Sequence, residues 1–172
     1  MRLYLVRHAP AGHRDPEAWP DDRDRPLTSE GRRKMRAAAT GLAALGVRPD
    51  ILMTSPLARA SQTAAILAGV IKPRPTVLEE AALEPGRPPI EALRVLVSIK
   101  GEEIMLVGHA PHLCLLASLL ISSGAAGAQL QLKKGGVVRI DLDDTPRPSA
   151  GSLVLLLTPR VLRRIGSTTT SG

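Results

Sequence analysis

Four residues of the sequence, Arg7, His8, Arg59 and His109, are of the types that bind and transfer phosphoryl groups. A guanidinium group binds phosphate oxygens through paired N–H donors, and a neutral imidazole nitrogen can attack phosphorus in line. If these side chains met without a carboxylate, their like charges would repel and their lost hydration would be uncompensated. A bound dianion removes both costs, so this set of residue types indicates phosphoryl chemistry.

Three apolar segments precede these side chains, and we predict that they are strands. Uninterrupted apolar runs are typical of strands that are buried on both faces of a parallel sheet. The segments are residues 3–6, 51–54 and 104–107. In open α/β sheets, ligands bind outside the carboxyl ends of the strands. We therefore expect Arg7, His8, Arg59 and His109 to meet at one edge of one sheet.

A helix is predicted directly after the second of these strands, and it would position Arg59. Ser55 is a favourable N-cap residue, and Pro56 suits the first helical position, where a missing N–H costs nothing. Arg59 then falls in the first turn. The free backbone N–H groups and the positive end of the helix dipole would favour an anion at the same place.

The rest of the chain alternates between helical and strand patterns, which is typical of an α/β domain. Thr28 is predicted to cap a helix that ends before Gly46, with its apolar residues on one side. Further helices are predicted at residues 90–99 and 111–121. Further strands are predicted at residues 74–78, 130–132, 137–142 and 153–157.

The length of 172 residues fits one domain, which we place at residues 1–165. Residues 166–172 contain no apolar side chain, so we expect a flexible C-terminal tail. Residues 10–26 contain four prolines and follow neither the helical nor the strand period. Long irregular segments of this kind are usually functional or disordered. Because this segment follows closely after His8 in the sequence, we interpret it as a lid or substrate-facing loop, with disorder as the alternative.

The composition narrows the possible partners. The formal net charge of +7 favours an anionic partner or substrate, although an ordinary basic surface would also explain it. There is no Phe, and Trp19 and Tyr4 are the only large aromatic residues. Proteins that bind single-stranded nucleic acid stack bases on several aromatic side chains. Nucleic-acid binding would therefore rest on charge alone, and we do not expect it.

Cysteine content and hydropathy bear on the compartment. Cys114 is the only cysteine, so no intramolecular disulfide can form, which is consistent with a reducing cytoplasm. Residues 104–132 contain no Asp, Glu, Lys or Arg, but their longest apolar piece is residues 113–121. That piece is well short of the ~20 residues that a membrane span requires. We expect a cytoplasmic protein without a membrane association.

Three segments resemble the signature elements of the histidine phosphatase superfamily, whose members include phosphoglycerate mutase-like enzymes. They are Arg7-His8-Ala9, residues 55–64 and Gly108-His109. Within that superfamily, four further segments resemble the SixA-type phosphohistidine phosphatases, namely residues 25–28, 83–86, 108–111 and 132–136. The resemblance extends to about residue 160. It implies a phosphoglycerate mutase-like fold, a three-layer α/β/α sandwich around a mostly parallel mixed sheet.

The resemblance also implies a role for each of the four site residues. His8 would be the nucleophile that becomes transiently phosphorylated, and Arg7, Arg59 and His109 would bind the phosphoryl oxygens. Water would then hydrolyse the phosphohistidine intermediate. No metal ion or other cofactor is expected, because the arginines supply the positive charge that Mg²⁺ supplies elsewhere.

Two departures from the superfamily pattern bear on the substrate. Ala9 stands where glycine is usual, and the general acid has only two loosely placed candidates, Glu80 and Glu84. Without a clearly placed general acid, alkyl phosphomonoesters are less suitable substrates, because their alkoxide leaving groups need a proton. We therefore expect a phosphohistidine-bearing protein, or a small phosphorylated substrate, as the partner. The alternatives are a general small-molecule phosphomonoesterase and a catalytically weak module that binds phosphoproteins.

Overall fold

A mixed β-sheet forms the centre of the protein in the computed structural model, which describes residues 1–122, 127–143 and 145–169. Within these ranges the sheet has six strands in the order β3-β2-β4-β1-β5-β6. They are β1 (Arg2–Arg7), β2 (Ile51–Thr54), β3 (Thr76–Glu79), β4 (Glu103–Gly108), β5 (Val137–Leu142) and β6 (Gly151–Leu157). The first four strands are parallel, β5 is antiparallel to β1, and β6 is antiparallel to β5.

Helices cover both faces of this sheet. The described residues form α1 (Ser29–Ala44), α2 (Ala58–Val70), α3 (Pro89–Ser98), α4 (His112–Ile121) and α5 (Pro159–Thr169). Tyr4 and Val6 of β1 pack in one buried cluster with residues of α1, α2 and α5. Leu3 and Leu5 pack in a second cluster with α3 and α4. Because successive residues of β1 are buried on opposite faces, the uninterrupted apolar run is explained, and the predicted three-layer α/β/α sandwich is confirmed.

Helix α1 follows the predicted pattern at both ends. The Oγ1 of Thr28 accepts a hydrogen bond from the N–H of Gly31 at 2.9 Å, which satisfies one of the free donors of the first turn. At the other end, Gly46 adopts φ of 77°, a left-handed conformation that glycine adopts without steric cost. The N–H of Val47 bonds to the carbonyl of Leu42 at 3.1 Å and closes the helix.

Residues 130–132 differ from the prediction, since the described residues 127–136 contain no strand. The carbonyl of Leu132 accepts a hydrogen bond from the Nη1 of Arg7 at 2.9 Å instead of pairing with a strand. The prediction is wrong because only Leu132 is buried, and the side chain of Arg7 satisfies its carbonyl in place of a neighbouring strand.

Helix α5 is absent from the predicted elements. It overlaps residues 166–169 of the tail for which the sequence predicts flexibility, and residues 170–172 lie outside the described ranges. Leu162 of this helix is fully buried in the same cluster as α1. A Cβ added at Gly41 of α1 would collide with the carbonyl oxygen of Leu162. The helix packs closely against α1. Its own sequence also indicates a helix, because the segment is strongly amphipathic and has Pro159 at its first position, and the prediction missed this signal.

Candidate active site

The strand register brings the three predicted strand ends to one edge of the sheet. Arg7 pairs with Gly108, and Thr54 pairs with Val107, so β1, β4 and β2 end nearly level. The N–H of His8 donates to the carbonyl of Gly108 at 2.9 Å. The imidazole rings of His8 and His109 lie with their centroids 5.2 Å apart.

His8 is held as a neutral imidazole with one free nitrogen. Its Nδ1 lies 2.7 Å from the carbonyl oxygen of Ala9. Because a carbonyl oxygen can only accept, Nδ1 carries the proton and Nε2 keeps its lone pair. Burial lowers the pKa of His8 to about 4, with the charges of Arg59, Arg7 and Lys134 acting in the same direction and the Ala9 hydrogen bond opposing. At neutral pH the ring is therefore uncharged and nucleophilic.

His109 is buried to 3% exposure beside His8. Its Nε2 hydrogen-bonds the Oγ of Ser55 at 3.0 Å. Burial lowers the pKa of His109 to about 3, and the neighbouring His8, Arg59, His112 and Arg7 lower it further. His109 is thus a neutral group whose ring orientation is set by a hydroxyl on the adjacent strand end.

The hydroxyl of Ser55 serves His109 rather than α2. The sequence predicts that Ser55 caps this helix, but α2 begins at Ala58, and its first turn has no side-chain cap. The N–H of Leu57 reaches the Oγ of Ser55 only at 3.4 Å. The prediction is wrong because the buried imidazole is the closer partner. Arg59 nevertheless lies in the first turn, as expected, and is 5% exposed.

The two arginines are bound differently. The Nη1 of Arg7 donates to the carbonyl of Leu132, and its buried Nε has no hydrogen-bond partner among the described residues. The Nη1 of Arg59 donates to the backbone carbonyl of Asp22 at 2.8 Å, and its Nη2 lies 3.2 Å from the Oδ2 of Asp22. Burial lowers the pKa of Arg59, while the charge of Asp22 opposes that shift. An unpaired buried donor is unfavourable, so an anion that reached the Nε of Arg7 would be stabilised.

Thr63 connects the two halves of the site. Its Oγ1 accepts a hydrogen bond from the N–H of Ala9 at 3.0 Å and donates to the carbonyl of Arg59 at 2.7 Å. Thr63 and Ala9 are both fully buried. The hydroxyl therefore fixes the backbone after His8 relative to the first turn of α2.

Residues 10–26 lie against the site through Asp22. A short 3-10 helix spans Asp22–Asp24, and Arg25 fastens it by donating to the carboxylate of Asp22 and the carbonyl of Gly12. The contact between Asp22 and Arg59 is not evident from the sequence, because four Asp residues occur in this loop. The loop faces the site, and its role as a lid stays a prediction.

The two candidate general acids make different contacts, and in the described part of the chain neither hydrogen-bonds to a site histidine. Arg23 hydrogen-bonds the carboxylate of Glu84, at 2.6 Å and 3.1 Å, and this lowers the pKa of Glu84. The Oε1 of Glu80 accepts the N–H of Ala82 at 2.8 Å. Within the described ranges, neither carboxylate hydrogen-bonds to a site histidine, and no group of His, Cys, Asp and Glu is placed to hold a metal ion. The general acid remains a prediction.

Sequence comparison identifies the family. The sequence model of the histidine phosphatase superfamily (branch 1) matches residues 3–84, which include Arg7, His8 and Arg59. An uncharacterized protein of Picosynechococcus sp. is 37% identical over 140 residues, which is 80% of this chain and 83% of that protein. The chain belongs to the histidine phosphatase superfamily. The resemblance to this superfamily, based on three signature segments of the sequence, is thereby confirmed.

Solved structures of this fold match nearly the whole chain. The protein histidine phosphatase SixA complexed with tungstate has a TM-score of 0.82 at 19% identity, covering 94% of this chain and 99% of that one. A protein assigned as SixA from Nakamurella multipartitia has a TM-score of 0.73 at 26% identity, with 92% and 95% covered. A protein assigned as an alpha-ribazole-5'-P phosphatase from Escherichia coli has a TM-score of 0.67 at 19% identity, with 92% and 98% covered. The fold is that of the phosphoglycerate mutase-like SixA structures. In the described ranges, no helix is both long and apolar enough to cross a membrane.

Proposed function

We propose that the protein is a metal-independent phosphatase that removes the phosphoryl group from phosphohistidine in a partner protein. The observation that carries this proposal is the state of His8, whose Nδ1 is bound to the carbonyl of Ala9 and whose Nε2 keeps its lone pair. The positive charges of Arg59 and Arg7 act with burial to lower the pKa of His8, which keeps its ring neutral. A neutral nucleophile beside two cations suits attack on a dianionic phosphoryl group.

In the first step, the Nε2 of His8 attacks the phosphorus of the substrate. The bond between Nε2 and phosphorus forms while the bond between phosphorus and the substrate imidazole nitrogen breaks. The other ring nitrogen of the substrate imidazole already carries a proton, so the ring keeps the electron pair of the broken bond and leaves as a neutral imidazole. Arg7, Arg59 and His109 bind the three equatorial oxygens and stabilise the charge that is spread over them. The Nε2 of His109 hydrogen-bonds the Oγ of Ser55. In the tautomer in which Ser55 is the donor, the Nδ1–H of His109 can donate to a phosphoryl oxygen.

In the second step, water hydrolyses the phosphorylated His8. An oxygen–phosphorus bond forms, the bond between phosphorus and the Nε2 of His8 breaks, and inorganic phosphate leaves with the protons of the water. The imidazole returns to its neutral form, because burial keeps the pKa of His8 at about 4. The enzyme is then ready for another substrate.

Two observations favour a phosphorus–nitrogen bond over an ester. Glu84 is held in an ion pair by Arg23, and Glu80, which accepts the N–H of Ala82 through one oxygen, makes no hydrogen bond to a site histidine among the described residues. An imidazole leaves with little help once its ring is protonated, whereas an alkoxide does not. The likeness to SixA structures supports the same substrate class. We place the enzyme in the cytoplasm, where a single unpaired Cys114 is stable in reduced form.

The test is a comparison of substrates with the purified full chain in the presence of a metal chelator. A phosphohistidine peptide and phosphoramidate should be hydrolysed with a kcat/KM about tenfold or more above that of sugar phosphates. Arg59→Ala should abolish this activity, and Arg33→Ala, a change on the exposed face of α1, should not. Faster hydrolysis of sugar phosphates would instead establish a small-molecule phosphomonoesterase. Phosphopeptide binding without turnover would establish a binding module.

A further inference from the structure

A pocket lies beside the active site, between the middle of α1 and the start of α5. Its volume is about 170 Å³. Met35 and Ala38 of α1 form an apolar floor, and Lys34, Lys134 and Arg163 line it with three basic groups. We call this cavity the α1–α5 pocket. The four residues assigned to phosphoryl transfer are not among those that line it.

The backbone after β1 separates the α1–α5 pocket from the catalytic residues. Ala9, which lines the pocket, directly follows His8. Gly135, which also lines it, adopts φ of 77° and donates its N–H to the carbonyls of Arg7 and His8, at 3.0 Å and 3.2 Å. A turn with this geometry requires glycine's freedom at positive φ. The pocket and the phosphoryl site thus share one wall.

The direction of β6 places α5 at the same edge of the sheet. Because β5 is antiparallel to both β1 and β6, the strands β1 and β6 run in the same direction. Leu157 at the end of β6 pairs with Val137, which in turn pairs with Val6. Helix α5 therefore begins beside the end of β1. The α1–α5 pocket and His8 therefore lie at the same edge of the sheet.

The charges around the pocket are poorly compensated. Lys134 and Arg163 have no carboxylate within ion-pair distance among the described residues. Lys34 lies 3.2 Å from a carboxylate oxygen of Glu30, but the same carboxylate also binds Arg33 at 2.7 Å. Residues 159–169 of α5 contain no acidic residue at all. Three cations around an apolar floor fit a carboxylate on a short apolar stem, which is the chemistry of a glutamate or aspartate side chain.

We propose that the α1–α5 pocket binds an acidic side chain of the partner protein, next to the phosphohistidine that enters the active site. This inference rests on the proposed function, and it names the feature of the partner protein by which the enzyme would recognise its substrate. A phosphorylated imidazole is the same in every partner, so selection must come from the surrounding surface. Charge complementarity at this pocket would select partners with an acidic surface and would raise the rate of encounter.

The test uses two phosphohistidine peptides that differ only in having Glu or Gln at the positions flanking the phosphorylated residue. The wild-type full chain should hydrolyse the Glu peptide with a kcat/KM about five- to tenfold higher, a preference that weakens as salt is added. Arg163→Gln and Arg163→Glu should remove the preference, and Arg163→Glu should favour a peptide flanked by Lys. Arg164→Glu is the matched control, because Arg164 lies on the same helix, is exposed and does not line the pocket. It should retain the preference.

Binding of the same peptides to His8→Ala separates this inference from the proposed function. If the variant binds the Glu peptide more tightly and Arg163→Gln added to it removes the difference, the pocket is supported even where turnover is absent. Equal hydrolysis of both peptides by the wild type would overturn the pocket inference and leave the phosphatase intact. Competition by free glutarate at the affinity of the Glu peptide would reveal a small-anion site and would also overturn it.

Discussion

The carboxylate and the backbone carbonyl of Asp22 both contact the guanidinium group of Arg59, at 3.2 Å and 2.8 Å. The carboxylate of Asp22 thus lies against one of the two arginines that we assign to the substrate phosphoryl group. Arg25 also donates to the same carboxylate, with its Nε 2.7 Å from the Oδ1 of Asp22. The loop at residues 10–26 thereby supplies an internal anion to a cationic site, and a bound phosphoryl group must compete with it.

Replacing Asp22 with Asn should strengthen the binding of inorganic phosphate, because the amide keeps the shape of the side chain and removes its charge. A partly exposed ion pair contributes about 0.5–1 kcal/mol, so the inhibition constant for phosphate should fall about two- to fivefold. Asp24→Asn, in the same short 3-10 helix, should leave the constant unchanged. A weaker inhibition by phosphate in Asp22→Asn would show that the carboxylate positions Arg59 rather than competing for it.

The two site histidines should make the protein sensitive to acid. Their pKa values in the folded state, about 4 for His8 and about 3 for His109, lie below the ordinary value of 6.5. Between pH 6.5 and 4 the unfolded chain therefore binds more protons, so the free energy of unfolding falls as the pH falls through this window. The expected loss is about 1–3 kcal/mol per histidine. Denaturant unfolding at pH 7.5 and pH 4.5 measures it.

The control for this prediction is His109→Asn, which should lose less stability over the same window. NMR titration gives a direct check, since the ring signals of His8 and His109 should not titrate between pH 5 and 8. A midpoint near pH 6.5 for either ring would contradict the neutral state on which the proposed mechanism depends.

Thr63→Val should impair both stability and phosphate binding. Valine has the shape of threonine but leaves the buried N–H of Ala9 without an acceptor, which costs about 1–3 kcal/mol. It also releases the first turn of α2, where the hydroxyl bonds to the carbonyl of Arg59. Thr63→Ser keeps both hydrogen bonds and should restore phosphate affinity. If the serine variant binds phosphate as weakly as the valine variant, the hydroxyl is not what aligns the site.

Glu80 and Glu84 can be distinguished by their effect on two substrates. A general acid matters for an ester and little for a phosphoramidate, so its loss should change the ratio of the two rates. Glu84→Gln should leave that ratio unchanged, and Arg23→Ala should act in the same way, because these two side chains form one ion pair. If Glu80 is the acid, Glu80→Gln lowers ester hydrolysis selectively, about tenfold or more. A selective loss in Glu84→Gln would contradict our interpretation of its ion pair.

Much of this site could be predicted from local sequence patterns. The apolar runs before Arg7 and His109 are continuous because both faces of β1 and β4 are buried, and the two strands are neighbours in the sheet. A strand that ends at a polar residue needs no distant information to be recognised. These strand patterns predicted an α/β fold and the meeting of the strand ends at one edge of the sheet. The family resemblance rested on the same segments.

The parts that could not be predicted depend on distant contacts. Asp22 and Arg59 are 37 residues apart, and the carbonyl of Leu132 and Arg7 are 125 apart. Nothing in either local segment marks such a pair. Helix α5 differs from these pairs, since its amphipathic segment and Pro159 at the first position are local signals that the prediction missed. Ser55 is a favourable N-cap residue, yet its hydroxyl hydrogen-bonds His109, because the fold places that buried imidazole beside it.

The most direct test of the account is the identity of the phosphorylated residue. The full chain should be mixed with radiolabelled phosphoramidate, quenched rapidly, and the protein-bound label tested for stability in acid and in base. We predict a label that is lost in acid, survives in base and maps to His8. It should be absent from His8→Ala and present in His13→Ala, which changes an exposed histidine of the adjoining loop. Undiminished labelling or turnover in His8→Ala would contradict the central claim.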